Sequence, residues 1–158
     1  MAAGKSTVGK ELADRLGWPF HDLDTMVENR CLTHYGRGIT SLIESGEEAL
    51  FRVQERRVVM HELLSLQNPA IVSLGGGTLH NPPLGDWLET QTTLIVLQVT
   101  WRTVKERILQ SNRPLKESAN RLYLERQDGY NKGFQVVVDS KNVIEVVDTL
   151  ESWVRSYT

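Results

Sequence analysis

Cysteine is almost absent from this sequence. Cys31 stands alone, which excludes an internal disulfide framework and fits a reducing, cytoplasmic setting. An excess of one charge is missing too. With 18 Lys and Arg against 20 Asp and Glu, the net charge is −2, so nothing sequence-wide points to nucleic acid. No apolar run approaches the roughly 20 residues of a membrane span. The start lacks the charged, apolar, small-residue order of a signal peptide, although a chain that begins inside a motif leaves room for an organellar leader upstream. Low-complexity tracts and internal repeats are missing as well. What is left is a 158-residue chain of a size that suits one domain, 1–158, with an ordinary core.

Three β-rich runs stand out: 70–74, 94–99 and 134–138. The first two are nearly continuously apolar, the pattern of strands buried on both faces. A weaker fourth is Pro19 to Leu23. Helical patterns fill the intervals at about 5–16, 47–65, 101–111 and 117–130. In the first of these Leu12, Ala13 and Leu16 form the apolar face, and Gly17 stops it. A last helix is predicted at about 142–156 from Val143, Val146, Val147, Leu150, Trp153 and Val154. Strands alternating with helices predict a parallel α/β sheet covered on both faces. Ligands of such sheets bind beyond the carboxyl ends of the strands.

The polar motifs fall at those ends. Gly4-Lys5-Ser6-Thr7 reads as the second half of a phosphate-binding loop whose first glycine would precede Met1. In such a loop Lys5 reaches phosphate oxygens, the Ser6 hydroxyl ligates Mg²⁺, and backbone N–H groups face the phosphates at a helix N-terminus. Asp22 and Asp24 end the weak strand, and an i, i+2 spacing in extended chain puts both carboxylates on one face. They can hold Mg²⁺ through water and accept a proton from a hydroxyl; the plainer alternative is that one of the two, Asp24 before Asp22, caps the next helix. Gly75-Gly76-Gly77 follows the 70–74 strand and reads either as a substrate wall or as a sharp turn. Arg52 and Glu55 can touch at i, i+3, with Arg52 suited to a carboxylate or simply part of a solvated helix surface. Arg113-Pro114-Leu115, with Arg121 and Arg126 beyond it, reads as a phosphate-clamping lid or as a solvated loop.

Taken together these motifs resemble the shikimate kinase family, in order and spacing, over essentially the whole chain. The matching run is Gly4 to Thr7, Asp22-Leu23-Asp24, Gly46-Glu47-Glu48 with Phe51-Arg52 and Glu55, Gly75 to Gly77, Arg113-Pro114-Leu115, and Arg126 with Tyr130. The resemblance implies a three-layer α/β sandwich whose five parallel strands run in the order 2-3-1-4-5, with a shikimate-binding region at about 24–62 and a mobile lid at about 111–121. It implies Mg²⁺- and ATP-dependent phosphorylation of the 3-hydroxyl of shikimate, in the pathway to aromatic amino acids, by a monomer with no nucleic-acid or membrane partner. Residue by residue, it makes Asp24 the contact to the substrate hydroxyls and the proton acceptor. Arg52 and Arg126 grip the shikimate carboxylate, and Gly75, Gly76 and Gly77 line the same pocket. Ala3, Gly4, Lys5, Ser6 and Thr7 hold the ATP phosphates, Lys5 and Arg113 stabilise the phosphoryl group in transfer, and Arg107 flanks the adenine. Ser6, and Asp22 through water, hold Mg²⁺.

Some residues depart from the family pattern. Lys116 stands where the lid usually has a second leucine, and Arg107 sits one residue nearer Arg113 than the pattern has it. The strand missing ahead of Gly4 is the central one of the implied order, so its absence would leave two strand pairs with unpaired edges. An upstream extension of about 8–12 residues is the expectation, enough for a strand and its loop. Two other readings stand beside the kinase: a binding domain that has kept the pocket without catalysis, and a sister kinase acting on gluconate or a nucleoside monophosphate. The Asp-Leu-Asp, Phe-Arg and Gly-Gly-Gly combination argues against the second of these.

Overall fold

The structure, a computed structural model, describes residues 3–66, 69–110, 119–126, 133–139 and 142–157. Contacts divide the chain into two compact units, Gly9–Gly75 on one side and Met1–Val8 with Gly76–Thr158 on the other. Helix α1 (Lys5–Leu16) starts in one unit and ends in the other. It stops where expected: Gly17 takes φ +68°. From there Gly17 N–H bonds the Asp14 carbonyl at 3.3 Å and Trp18 N–H the Ala13 carbonyl at 3.0 Å, the paired closure that a left-handed glycine permits.

Within Gly9–Gly75, β1 (Phe20–Asp22) and β2 (Ile71–Ser73) pair in parallel, Phe20 opposite Ile71. Helix α1 lies so close to this pair that a Cβ on Gly9 would meet Phe20 Cε2 at 2.8 Å. Three helices follow β1: α2 (Leu23–Tyr35), α3 (Ile39–Glu44) and α4 (Glu48–Arg57). A π-helical turn, Val58–Leu63, continues α4. Leu23, Val27, Cys31, Leu42, Phe51, Val58 and Val59 form the core here, each full burial of a large apolar side chain being worth about 1.5–3 kcal/mol. Helix α3 has no capping side chain of its own. Glu28 of α2 supplies one instead, its Oε2 accepting the Ile39 N–H at 2.7 Å. The carboxylate fits only because position 38 is glycine, where a Cβ would stand 2.1 Å from Glu28 Oε1.

In the other unit β3 (Ile95–Gln98) and β4 (Phe134–Val137) form a second parallel pair, with Ile95 opposite Phe134. A 3-10 turn (Thr78–His80), α5 (Pro82–Gln91), α6 (Trp101–Gln110), α7 (Ala119–Glu125) and α8 (Val143–Arg155) complete it. Helix α8 opens with a capping box between Asn142 and Glu145 and buries Val146, Val147, Leu150 and Val154, a stripe at helical spacing. Phe134 stacks on Trp153 with ring centroids 4.4 Å apart.

All four predicted strands exist, as short parallel strands with helices before and after them in the chain. They do not form one sheet among the described residues; there are two separate two-stranded sheets. Removing strand 1 from the order 2-3-1-4-5 leaves the pairs 2-3 and 4-5, and these are the pairs observed. Burial on both faces was overestimated: Ser73 is the one buried residue of β2 and Val96 of β3, the others being half-buried. The helix predicted at 47–65 divides into α4 and the π turn. Helices α2, α3 and α5 have no range in the periodicity reading: α3 is six residues long, and α2 and α5 carry few regularly spaced apolar residues.

Candidate active site

At the head of α1, Gly4 has φ +83° with open space around it, so glycine is needed there for backbone conformation rather than room. Its carbonyl accepts the Val8 N–H at 2.9 Å, starting the helix. Lys5, Ser6 and Thr7 form the first turn, at the positive end of the helix dipole. Ala3 just before them is buried, whereas Gly4, Ser6 and Thr7 are exposed.

Asp22 ends β1 and is itself the N-cap of α2: its Oδ1 accepts Thr25 N–H at 3.1 Å and the Thr25 hydroxyl at 3.4 Å. This corrects two sequence expectations. The cap is Asp22, not Asp24, and the two carboxylates do not share a face of one extended segment. The strand stops at Asp22 because capping turns the backbone into the helix there, which places Asp24 in the helix's first turn. An acidic side chain is stabilised at that end of a helix dipole, and Asp24 is exposed. As oxygen donors, Ser6 and Asp22 suit Mg²⁺. Among the described residues no group of three or more His, Cys, Asp or Glu could hold a metal ion.

Arg52 lies on α4 between two carboxylates. Its Nη1 donates to Glu55 Oε2 at 2.9 Å, while Nε and Nη2 donate to Glu48 Oε1 at 3.1 and 2.8 Å. Glu55 is buried, its side chain 2% exposed against 55% for Glu48. Burial alone would lower the Arg52 pKa, but the hydrogen bond and charge of Glu55, then of Glu48, outweigh it and push it up. The guanidinium also sits 4.5 Å from the centroid of the Phe51 ring. Glu48 was missed from sequence, although its i, i+4 spacing to Arg52 was the available signal.

The glycine run ends one unit and resumes the other: Gly75 closes Gly9–Gly75, and Gly76 follows it. A Cβ on Gly76 would stand 3.0 Å from Arg126 Nη1, so the guanidinium lies against bare backbone. Arg126 follows α7, its N–H bonded to the Leu122 carbonyl at 3.2 Å. Tyr123 ties that helix to the end of β3 by donating to the Val99 carbonyl at 2.9 Å. Gly77 precedes the 3-10 turn, where its carbonyl accepts His80 N–H. Arg107, on α6, donates to the Val138 carbonyl at 3.4 Å and its charge helps lower the Asp139 pKa. There burial acts in the opposite direction and the Thr100 N–H is the largest lowering cause. Arg113 and most of the expected lid lie outside the described residues, as do Lys116 and Tyr130.

The frame is α/β, with a glycine-led helix start and Arg126 in one unit and the carboxylates of α2 with Arg52 in the other. The family model for shikimate kinase matches residues 1–155, and the chain belongs to the shikimate kinase family. It is 30% identical over 161 residues to the shikimate kinase of Francisella tularensis subsp. novicida, covering 94% of this chain and 89% of that one. The Chlorobium chlorochromatii enzyme is 34% identical over 114 residues, which span 72% of this chain but only 57% of the relative. Among solved structures, shikimate kinase from Aquifex aeolicus superposes with a TM-score of 0.80 at 30% identity, covering 99% of this chain and 93% of that one. Shikimate kinase from Acinetobacter baumannii, solved in complex with shikimate, gives 0.79 at 25% identity, with 100% and 90% covered. No helix among the described residues is long and apolar enough to cross a membrane.

Proposed function

We propose that this chain transfers the terminal phosphoryl group of ATP to the 3-hydroxyl of shikimate, giving shikimate 3-phosphate and ADP in aromatic amino acid biosynthesis. It does so as a monomeric cytoplasmic enzyme. The observation that carries this reading is Arg52, a fixed cation whose buried partner Glu55 sets its direction while the exposed Glu48 can yield. A small carboxylated polyol needs a cationic fork at one end and a hydroxyl acceptor at the other. Arg52 and Arg126 are the forks for the carboxylate, with Gly75, Gly76 and Gly77 as backbone lining, and Asp24 is the acceptor.

The substrate oxygen attacks the terminal phosphorus as the bond to the ADP oxygen breaks, and the hydroxyl proton passes to Asp24. Lys5 and Arg113 neutralise the oxygens of the group in transfer, and the backbone of Ala3 to Thr7 holds the remaining phosphates. Ser6, and Asp22 through water, would hold Mg²⁺, which supplies further charge neutralisation at the phosphates. Arg107, on α6, borders the adenine. A lid at about 111–121 excludes water that would otherwise consume ATP.

A coupled ADP-release assay tests this. Turnover with shikimate and none with gluconate supports it. Shikimate binding without turnover would instead support the non-catalytic reading, and gluconate turnover the sister-kinase reading.

A further inference from the structure

The buried face of α4 and the turn after it includes Phe51, Gln54, Glu55 and Val58, at 7, 1, 1 and 0% exposure, while Val53 is 46% exposed. The spacing i, i+3, i+4, i+7 is that of a core stripe, yet its two central members are polar. Buried polar side chains are the informative exceptions in a core. Glu55 is accounted for by Arg52.

Gln54 is engaged elsewhere. Its Oε1 accepts Arg30 Nε at 2.9 Å, and its Nε2 donates to the Tyr35 hydroxyl at 2.7 Å. Arg30 in turn donates Nη1 to Glu62 Oε1 at 2.7 Å. Arginine only donates, so the amide has one orientation that satisfies both neighbours. Arg30 and Tyr35 are both on α2, five residues apart and so about 7.5 Å along its axis. Both bonds end on the one amide, so they fix that point of α4 against α2 and set the direction of the Gln54 side chain. Shifting α4 by one residue would break both bonds and leave a buried amide without partners, a cost that a purely apolar contact does not impose.

The two helices so joined are those that carry Asp24 and Arg52. We infer that Gln54 is a positioning residue, locking α4 to α2 through Arg30 and Tyr35 so that Arg52 and Asp24 are held at the separation the acceptor requires. This rests on the function proposed above. It predicts a specific kinetic effect, because the lock touches neither the phosphate loop nor the reacting atoms.

The test compares the wild-type chain with Gln54→Leu, Tyr35→Phe and Gln54→Glu, varying shikimate and ATP separately in the ADP-release assay. Gln54→Leu should raise the shikimate KM about tenfold, with kcat and the ATP KM within about twofold of wild type, the pattern of lost binding alignment. Tyr35→Phe removes one bond of the two and should raise the shikimate KM about threefold, so it serves if Gln54→Leu fails to fold. Gln54→Glu should stay within about twofold of wild type, since a carboxylate accepts from both Arg30 and the Tyr35 hydroxyl. An unchanged shikimate KM in Gln54→Leu and Tyr35→Phe, or a fall in kcat alone, overturns the inference while turnover by the wild type leaves the proposed function standing. A wild-type chain that neither binds nor phosphorylates shikimate overturns both.

Discussion

Arg52 and Glu55 form an ion pair at 2.9 Å in which the acid is buried and the base is part-exposed. That asymmetry decides what each residue can do. Moving Arg52 off Glu55 would take the cationic partner from a buried carboxylate, so Arg52 pivots on it and keeps its remaining N–H groups for other carboxylates. Glu48, exposed, accepts from those groups. Arg52→Ala should therefore raise the shikimate KM at least about tenfold, the loss of a charge-assisted hydrogen bond, with little change in the ATP KM. Glu48→Gln should leave the shikimate KM at or below wild type. Initial rates with each substrate varied check both, and an unaffected KM in Arg52→Ala would refute the carboxylate assignment.

Asp24 has a different signature. If it takes the hydroxyl proton, Asp24→Asn should lower kcat by about 10²–10⁴-fold, the usual worth of a positioned base. Thermal stability should change little because the α2 cap is Asp22. Single-turnover rates alongside melting curves separate the two quantities.

Gly76 lies against Arg126. A methyl at Gly76 would sit 3.0 Å from Nη1, closer than ordinary contact, so Gly76→Ala should displace the guanidinium. The expected result is a higher shikimate KM with kcat largely kept. Calorimetric titration of shikimate measures the binding loss directly, and unaltered affinity would show that the bare backbone at Gly76 does not set how Arg126 is placed for the ligand.

The pair Arg37–Glu47 makes a pH prediction. Glu47 accepts from Arg37 Nη1 at 2.6 Å, from Nη2 at 3.0 Å and from the Ser45 hydroxyl at 2.8 Å. The Arg37 bond, then the Ser45 bond, brings its pKa from the ordinary 4.5 down to about 2. A depressed carboxylate stabilises the fold above its unfolded pKa and loses that contribution as pH falls through its folded one. Glu47→Gln should therefore lower Tm slightly at neutral pH, and the difference should shrink between pH 4.5 and about 2. Melting curves across that range decide it; a constant difference would exclude Glu47 as the titrating group.

Much of this was legible in the residues. Gly17 marked the end of α1 because its left-handed conformation is open to few other residues. The stripe of valines and Leu150 marked α8 because a strongly amphipathic helix leaves a periodic trace. The i, i+3 spacing of Arg52 and Glu55 foretold their contact because neighbours on a helix surface are fixed by helical geometry alone. Capping at Asp22 was assigned to the wrong aspartate. Both were two or fewer residues from the boundary, and a chain pattern does not resolve the exact residue at which a strand turns into a helix.

By itself, then, the sequence determined the strands, the long amphipathic helices and the identity of the charged side chains, because these depend on periodicity and on spacing within one element. Tertiary structure alone decided the rest. It chose which carboxylate of Arg52's two is buried, placed Gln54 rather than Val53 in the core, set Glu28 as the cap of α3 over Gly38, and seated Arg126 against Gly76. Each of these joins residues from separate elements or turns on how elements pack. Burial and hydrogen bonding across elements follow from the packed fold, and no local spacing encodes them.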